Sequence, residues 1–205
     1  MKRRVLSVEN VEKKFGTNTV LKQIDLDLST GEIVSLMGPS GCGKTTVLRM
    51  IVGLIAPDSG KIVLFDRNLA EAEEDESIIE LKKRVGIVFQ GGALFDSLNV
   101  AENVAFPLRY CLGLEDESEI EMRVAKALEQ VELPGTGKLM PAELSGGMKK
   151  RIAIARALVH EPEILLLDEP TTGLDPQTAR HIDRLITEIA NRYEIGILSV
   201  THDLV

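Results

Sequence analysis

The chain has 205 residues, of which 44% are hydrophobic and 27% are charged, and its formal net charge is −8. This composition is ordinary for a globular protein with one sizeable core. The acidic balance disfavours a large nucleic-acid surface, and no segment approaches the roughly 18 apolar residues that predict a membrane span. The basic start at Lys2–Arg4 lacks the apolar region of a signal peptide, so we expect a cytoplasmic protein.

The first third of the chain alternates between predicted strands and turns. Apolar and polar residues alternate over residues 5–30, which predicts two antiparallel strands joined by a turn at Phe15–Asn18. The apolar run at residues 32–37 predicts a buried strand, and the helix that follows it is expected to end near Gly53. A turn and a short strand are predicted next, at Pro57–Gly60 and Lys61–Phe65.

The remainder of the chain is predicted to be mainly helical around a few short strands. The acidic run Glu71–Glu76 is expected to be a solvated loop or helix face. Residues 91–160 have the pattern of a helical lobe inserted into an α/β core. Helices are predicted at Ile78–Arg84, Val100–Tyr110, Ile120–Val131, Met148–Val159 and Thr178–Arg192. Strands are predicted at Val85–Phe89, Ile164–Leu167 and Ile195–Val200.

A glycine-rich loop between a strand and a helix is the most informative motif. It has the pattern G-x-x-x-x-G-K-[ST] and consists of Gly38, Pro39, Ser40, Gly41, Cys42, Gly43, Lys44, Thr45 and Thr46. In this pattern backbone N–H groups and the helix N-terminus surround phosphate oxygens. Lys44 would reach the β- and γ-phosphates, and the Thr45 hydroxyl would bind Mg²⁺. The sequence therefore predicts a nucleoside triphosphate site, rather than a chance glycine-rich turn.

Polar residues at the ends of other predicted strands point to the same site. Asp168 and Glu169 follow the apolar strand, and adjacent residues leave a strand in opposite directions. Asp168 can therefore face a Mg²⁺ ion through water, while Glu169 faces the attacking water. Gln90 and His202 also follow predicted strands, and ligands of open α/β sheets bind beyond the carboxyl ends of strands.

A second glycine-containing helix start lies at Leu144–Met148. Ser145 suits the N-cap, and Gly146 and Gly147 leave the backbone accessible, which fits a second anion site as well as an ordinary capped helix. One chain with two such loops suggests that two copies assemble head to tail. The basic residues that follow, Lys149–Arg151, are predicted to form a solvated helix face.

This ordered set of motifs resembles the ATPase subunit of ABC transporters, and the resemblance covers essentially the whole chain. It rests on the phosphate loop (Walker A), Gln90, the signature Leu144–Met148, the Walker B segment Ile164–Glu169, the sequence Gly173–Asp175 and His202. The fold implied is α/β: a P-loop core with a mostly parallel sheet, an antiparallel β subdomain and an inserted helical lobe. The resemblance implies ATP and Mg²⁺ as ligands.

Roles for single residues follow from that resemblance. Phe15 would stack on adenine, although a residue that anchors the turn would look the same. Gln90 would contact Mg²⁺ and connect the site to the helical lobe, Glu169 would be the general base, and His202 would contact the γ-phosphate. The remaining implied roles concern a second copy: Asp175 at the dimer interface, and Ser145, Gly146, Gly147 and Met148 on the ATP of the other subunit.

A narrower resemblance is to the Mla-type lipid-transport ATPases, which work with MCE-family proteins. It rests on Gly91–Val100, Glu102–Val104, Phe106–Arg109 and Met148 in the signature. It implies a peripheral subunit on the cytoplasmic side of the inner membrane, bound to a separate permease and moving phospholipid. We expect Leu94, Phe95 and Leu98 to be partly exposed as a docking patch; they could equally belong to the core of the lobe.

Three other functions stay open at this point. The cargo could be a small solute such as an amino acid or a metal ion. A soluble ABC ATPase acting on DNA or ribosomes is disfavoured because the long coiled-coil insertion and zinc cysteines typical of those proteins are missing from the sequence. A regulatory module without turnover is disfavoured by Glu169 and His202.

The predicted domain organisation is one ABC ATPase domain over residues 1–205. Residues 1–90 and 161–205 form the nucleotide-binding core with its β subdomain, and residues 91–160 form the lobe. Members of the family continue past the histidine that corresponds to His202, so we expect the sequence to be truncated after this position.

Overall fold

Two β-sheets organise the part of the chain that the computed structural model describes, residues 2–70 and 76–202. Most of the predicted acidic run, residues 71–75, lies outside the described residues. The strands are β1 (Arg4–Phe15), β2 (Asn18–Ser29), β3 (Ile33–Met37), β4 (Ser59–Leu64), β5 (Arg67–Asn68), β6 (Val85–Val88), β7 (Ile164–Asp168) and β8 (Gly196–Thr201). The helices are α1 (Lys44–Ile51), α2 (Glu76–Lys82), α3 (Val100–Tyr110), α4 (Glu117–Gln130), α5 (Gly146–Leu158) and α6 (Pro176–Tyr193), with a 3₁₀ turn at Pro141–Glu143.

The two sheets differ in strand direction, as the sequence predicts. The first has the order β2-β1-β4-β5 and is antiparallel, and the second has the order β3-β8-β7-β6 and is parallel. The α/β fold class with an antiparallel subdomain is therefore confirmed. Among the described residues, no helix combines the length and the apolar character needed to cross a membrane.

Strand β7 shows where the core lies, because it is buried on both faces. Its side chains alternate between two packed clusters, as the period of two in a strand requires. Ile164 and Leu166 pack with the antiparallel sheet and α1, whereas Leu165 and Leu167 pack with α3, α4, α5 and α6. The helix α1 and the helix α5 therefore lie on opposite faces of the parallel sheet.

Element boundaries differ from the predictions where polar side chains or glycines decide them. The predicted turn Pro57–Gly60 is wrong at its end, because Ser59 already pairs with Glu12 and β4 begins there. Gly60 has φ +82°, and a Cβ at this position would lie 2.4 Å from the Asn10 carbonyl oxygen. The strand therefore continues through a residue that the sequence marks as a breaker.

The helices α4, α5 and α6 begin two or three residues earlier than their apolar patterns predict. The side chains of Asp116, Ser145 and Asp175 accept hydrogen bonds from backbone N–H groups of the first turns of α4, α5 and α6. An N-cap residue allows a helix to start before its first buried apolar residue. The predicted N-cap role of Ser145 agrees with this geometry.

Candidate functional site

The loops that carry the predicted site residues meet at one edge of the parallel sheet. Strands β3, β8, β7 and β6 are neighbours in that order and run in the same direction. The phosphate loop follows β3, and the segments with His202, Asp168–Glu169 and Gln90 stand at the ends of β8, β7 and β6. The four motifs therefore lie side by side at the carboxyl edge, where α/β proteins bind their ligands.

The phosphate loop leads directly into α1, and two of its glycines have left-handed backbones. Gly41 has φ +81° and Gly43 has φ +100°. A Cβ on Gly43 would also lie 2.7 Å from Leu21 Cδ2, so a larger residue would have to displace side chains of β2. Lys44, the first residue of α1, is 7% exposed, and its Nζ donates to the carbonyl oxygens of Gly38 at 2.6 Å and Pro39 at 3.0 Å. The ammonium group is thus held within the curve of the loop.

Thr45 and Asp168 form a pair of oxygen donors next to this loop. The Thr45 hydroxyl donates to Asp168 Oδ1 at 3.1 Å, and Asp168 is 4% exposed. Burial raises the pKa of the Asp168 carboxyl, and the hydrogen bond from Thr45 opposes that shift. Hydroxyl and carboxylate oxygens are the hard ligands that Mg²⁺ prefers, so the pair fits the predicted metal position.

Glu169 is the centre of a second polar cluster. Its carboxylate accepts hydrogen bonds from Gln90 Nε2 at 3.0 Å and Thr172 Oγ1 at 3.0 Å, and it lies 2.9 Å from His202 Nδ1. Burial would raise the pKa of this carboxyl, but the hydrogen bonds from His202 and Thr172 together hold it below its usual value. The geometry therefore favours an ionised carboxylate. Gln90 Nε2 thus contacts Glu169, and the role of Gln90 as a metal ligand stays a prediction.

Phe15 and Cys42 are both exposed and have different surroundings. Phe15 ends β1 and is 48% exposed, with Lys13 Nζ 5.6 Å from its ring centre. An exposed aromatic ring at this point is available for stacking, and its role on adenine stays a prediction. Cys42 is exposed with a free thiol, and a Cβ on Gly38 would lie 2.9 Å from its Sγ. Its contribution is thus a small side chain that packs on Gly38.

The signature Leu144–Met148 begins α5 on the other face of the sheet. Ser145 and Gly146 are exposed, and the Ser145 hydroxyl accepts from the Met148 N–H at 3.3 Å. Gly147 is buried against α6. A Cβ added there would lie 2.6 Å from Thr178 Cγ2. Asp175 caps α6 and accepts from the Thr178 hydroxyl at 2.5 Å. The signature is therefore packed closely against the helix that Asp175 begins.

An apolar groove of about 710 Å³ lies beyond β6, between α2, α3 and α5. Phe95 and Phe106 have ring centres 4.7 Å apart, and Phe106 and Tyr110 4.5 Å apart. Phe95 is 41% exposed and Tyr110 73%. The expected partial exposure after Gln90 is thus seen, with Phe95 exposed and Leu94 and Leu98 half-buried. Leu94 packs against the apolar cluster that includes α3, α4 and α5.

With this arrangement described, comparison with known proteins decides the family. The protein-family model described as "ABC transporter" matches residues 21–172. The chain belongs to the ABC transporter family. It is an ABC ATP-binding domain, and four of the motifs that resemble this family lie at the carboxyl edge of the parallel sheet.

Relatives and solved structures agree with that assignment. The chain is 44% identical over 199 residues to the spermidine/putrescine import ATP-binding protein PotA of Pseudomonas aeruginosa, covering 97% of this chain and 53% of that protein. It is 40% identical over 199 residues to the probable ribonucleotide transport ATP-binding protein mkl of Mycobacterium leprae, covering 97% of this chain and 57% of that protein. The chain thus spans about half the length of these curated relatives.

A dimeric ATP-binding cassette, MJ0796, has been solved in a post-hydrolysis state bound to ADP and Pi. It aligns with this chain at a TM-score of 0.84 and 34% identity, covering 97% of this chain and 88% of that one. The ABC fold assignment therefore rests on structure as well as on sequence.

Two residues of the site were not found from sequence. Thr172 contacts Glu169. Its only signal in the sequence is its position three residues after Glu169, the candidate general base. Lys150 was predicted on a solvated face, but that prediction is wrong, because Lys150 is 6% exposed and its Nζ donates to the Glu169 carbonyl at 2.9 Å. A run of basic residues looks solvated in sequence because the pattern does not show which of them faces a carbonyl.

Proposed function

We propose that this chain is the ATP-hydrolysing subunit of an ABC transporter. The observation that carries the proposal is the Glu169 carboxylate, which is held by Gln90, Thr172 and His202 close to the Asp168–Thr45 pair. A carboxylate that is ionised and fixed in direction is suited to take a proton from a water molecule. Its position beside a phosphate-binding loop indicates phosphoryl transfer to water.

Each residue then has a defined part in the reaction. Glu169 takes a proton from the attacking water as the water oxygen bonds to the γ-phosphorus and the bond to the β–γ bridging oxygen breaks. Lys44 and the N–H groups of the loop hold the phosphates, and His202 contacts the γ-phosphate. Thr45, Asp168 through water and Gln90 would hold Mg²⁺, which would supply positive charge to the phosphates. Phe15 stacks on adenine.

A homodimer completes the site. The phosphate loop begins α1 and the signature begins α5, and these helices lie on opposite faces of the parallel sheet. A second copy placed head to tail brings its Ser145 and Gly147 to the γ-phosphate, with Asp175 at the interface. The similarity to MJ0796, which is a dimer, supports the assembly of two copies.

The groove beyond β6 supports a membrane permease as the partner. Exposed aromatic side chains lining an apolar groove are a candidate place for a partner to pack. The groove begins where the chain leaves Gln90, so a partner seated there would act on a residue that contacts Glu169. The subunit would then be peripheral, on the cytoplasmic side of the inner membrane.

For the cargo we propose phospholipid, with an MCE-family protein as a further partner. The support is the resemblance of Gly91–Val100, Phe106–Arg109 and Met148 to the Mla-type ATPases. A small solute is the second candidate, because the relatives at 40–44% identity carry names of spermidine/putrescine and ribonucleotide transport.

The catalytic part of the proposal is tested with Glu169→Gln. The amide cannot take a proton, so phosphate release should fall by about 10²- to 10⁴-fold, and an ATP-bound dimer should accumulate in size-exclusion chromatography. Glu188→Gln, the same change at an exposed position of α6, is the control. Rapid turnover by Glu169→Gln would show that another group is the base.

The cargo is tested by purifying the protein from native membranes in mild detergent through a tagged copy of this chain. Recovery with a multispanning permease, an MCE protein and bound phospholipid would support lipid transport. Recovery with a permease and a solute-binding protein would replace lipid by a solute. Recovery with ribosomes or DNA would overturn the transporter assignment.

A further inference from the structure

Lys150 is a buried cation whose position in the site nothing in the motif pattern explains. It lies on α5, the third residue after Gly147, and only 6% of its surface is exposed. Its Nζ donates to the backbone carbonyl oxygen of Glu169 at 2.9 Å. A lysine is seldom buried, because removing its charge from water is unfavourable unless other groups compensate. The burial of Lys150 next to Glu169 therefore needs a structural explanation.

The backbone conformation of Glu169 explains why Lys150 is buried there. Glu169 has φ +50°, a left-handed conformation that is strained for a residue with a long side chain. Such a conformation persists only when its surroundings fix it. On one side the Glu169 N–H donates to the Val200 carbonyl of β8 at 2.9 Å, and on the other the Glu169 carbonyl accepts from Lys150. The peptide groups on both sides of the general base are thus anchored.

The charges around Lys150 agree with this arrangement. Burial lowers the pKa of its ammonium group, and the Asp168 and Glu169 carboxylates oppose that shift. The cation therefore faces the two acidic residues of the site. It reaches them from α5, the helix that begins with the signature and packs on the opposite face of the sheet from α1.

We propose that Lys150 is a positioning residue, which holds the left-handed Glu169 backbone and so directs its carboxylate toward the attacking water. Because Lys150 belongs to the signature helix, it also connects that helix to the reacting group within one copy of the chain. The inference rests on the proposed role of Glu169 as general base. Lys150 touches neither ATP nor water in this proposal, and it acts only through Glu169.

The experiment compares three variants in the transporter complex purified from native membranes. Lys150→Met keeps the length of the side chain and removes the donor, Lys150→Arg keeps a charged donor, and Lys149→Met removes the neighbouring lysine of the same helix. We expect kcat for ATP hydrolysis to fall about 10- to 100-fold in Lys150→Met, the scale of a misplaced catalytic group. KM for ATP should be unchanged. Lys150→Arg should recover most of the lost kcat, and Lys149→Met should match the wild type.

A double variant separates positioning from general support of the fold. When Glu169 is already replaced in Glu169→Gln, adding Lys150→Met should cause no further loss of turnover, because residues that act as a unit are not additive. An equal loss in both backgrounds, or a wild-type kcat in Lys150→Met, would overturn the inference while leaving the role of Glu169 intact. Wild-type turnover by Glu169→Gln would instead show that Glu169 is not the general base, and the inference about Lys150 would fail with it.

Discussion

Gly147 has a packing constraint that can be measured separately from its proposed role in ATP binding. A Cβ at this position would lie 2.6 Å from Thr178 Cγ2, and the next atom, Thr178 Cβ, is 4.0 Å away. The methyl group cannot rotate aside easily, because Thr178 is β-branched and its hydroxyl donates to Asp175. Gly147→Ala should therefore be destabilising through this single contact.

The magnitude follows from two opposing effects. Alanine is favoured over glycine in a helix by about 1 kcal/mol, whereas overpacking costs about 1–3 kcal/mol. In the wild-type background Gly147→Ala should therefore change the free energy of unfolding by between about 0 and −2 kcal/mol. In the Thr178→Ser background the methyl is gone and the hydroxyl remains, so the same substitution should stabilise by up to about 1 kcal/mol.

The assay is urea unfolding of the two single variants, the double variant and the wild type. The expected coupling between positions 147 and 178 is about 1–3 kcal/mol, the size of the clash that is removed. A coupling below about 0.5 kcal/mol, the usual error of additivity, would refute the reasoning. If Gly147 also contacts the ATP of a second copy, ATPase activity should stay low in the double variant although its stability is restored.

Two further predictions concern α3 and the antiparallel sheet. Asn103 is fully buried and exchanges hydrogen bonds with the Phe95 backbone, so Asn103→Ala should destabilise by about 1–3 kcal/mol per polar group left unpaired, measured by urea unfolding. The pKa of Asp58 is held below its usual value by the Lys13 side chain and the Lys14 N–H. Asp58→Asn should therefore lower Tm at pH values above the pKa that the carboxyl has in the unfolded chain. The difference in Tm should disappear as the pH falls through the lower pKa of the folded state. A difference in Tm that persists in acid would contradict the assignment.

Strand β7 could be predicted because it is buried on both faces. Ile164–Leu167 is a continuous apolar run for this reason, since Leu165 faces one cluster and Leu166 the other. The run that forms β3 was also predicted to be a buried strand, and its predicted burial is wrong, because its side chains are exposed or half-buried. Continuous runs are distinctive in sequence, and the polar residues that follow them mark the carboxyl edge. The arrangement of Gln90, Asp168 and His202 at one edge followed directly from these signals.

The sequence pattern could not reveal contacts made by side chains to a distant backbone. Lys150 and Arg151 read as neighbours in a basic run, but Lys150 donates to Glu169 and Arg151 to the carbonyl oxygens of Val131 and Glu132. Carbonyl acceptors carry no sequence signature, because every residue has one. The full extent of the groove was also not predicted. Tyr110 lines it, but this residue belongs to a helix whose apolar pattern indicates burial.

The pairing of β3 with β8 has a consequence for how the protein is made. Ile33 pairs with Ile197, which the ribosome adds 164 residues later. At about 5–20 residues per second, the strand that leads into the phosphate loop waits roughly 10–30 s for its neighbour in the sheet. During that interval the antiparallel pair β1–β2 can form from local contacts alone, whereas β3 offers an unpaired apolar edge to other chains. The nucleotide site is therefore completed only after β8 has been made, and until then β3 is open to pairing with other chains.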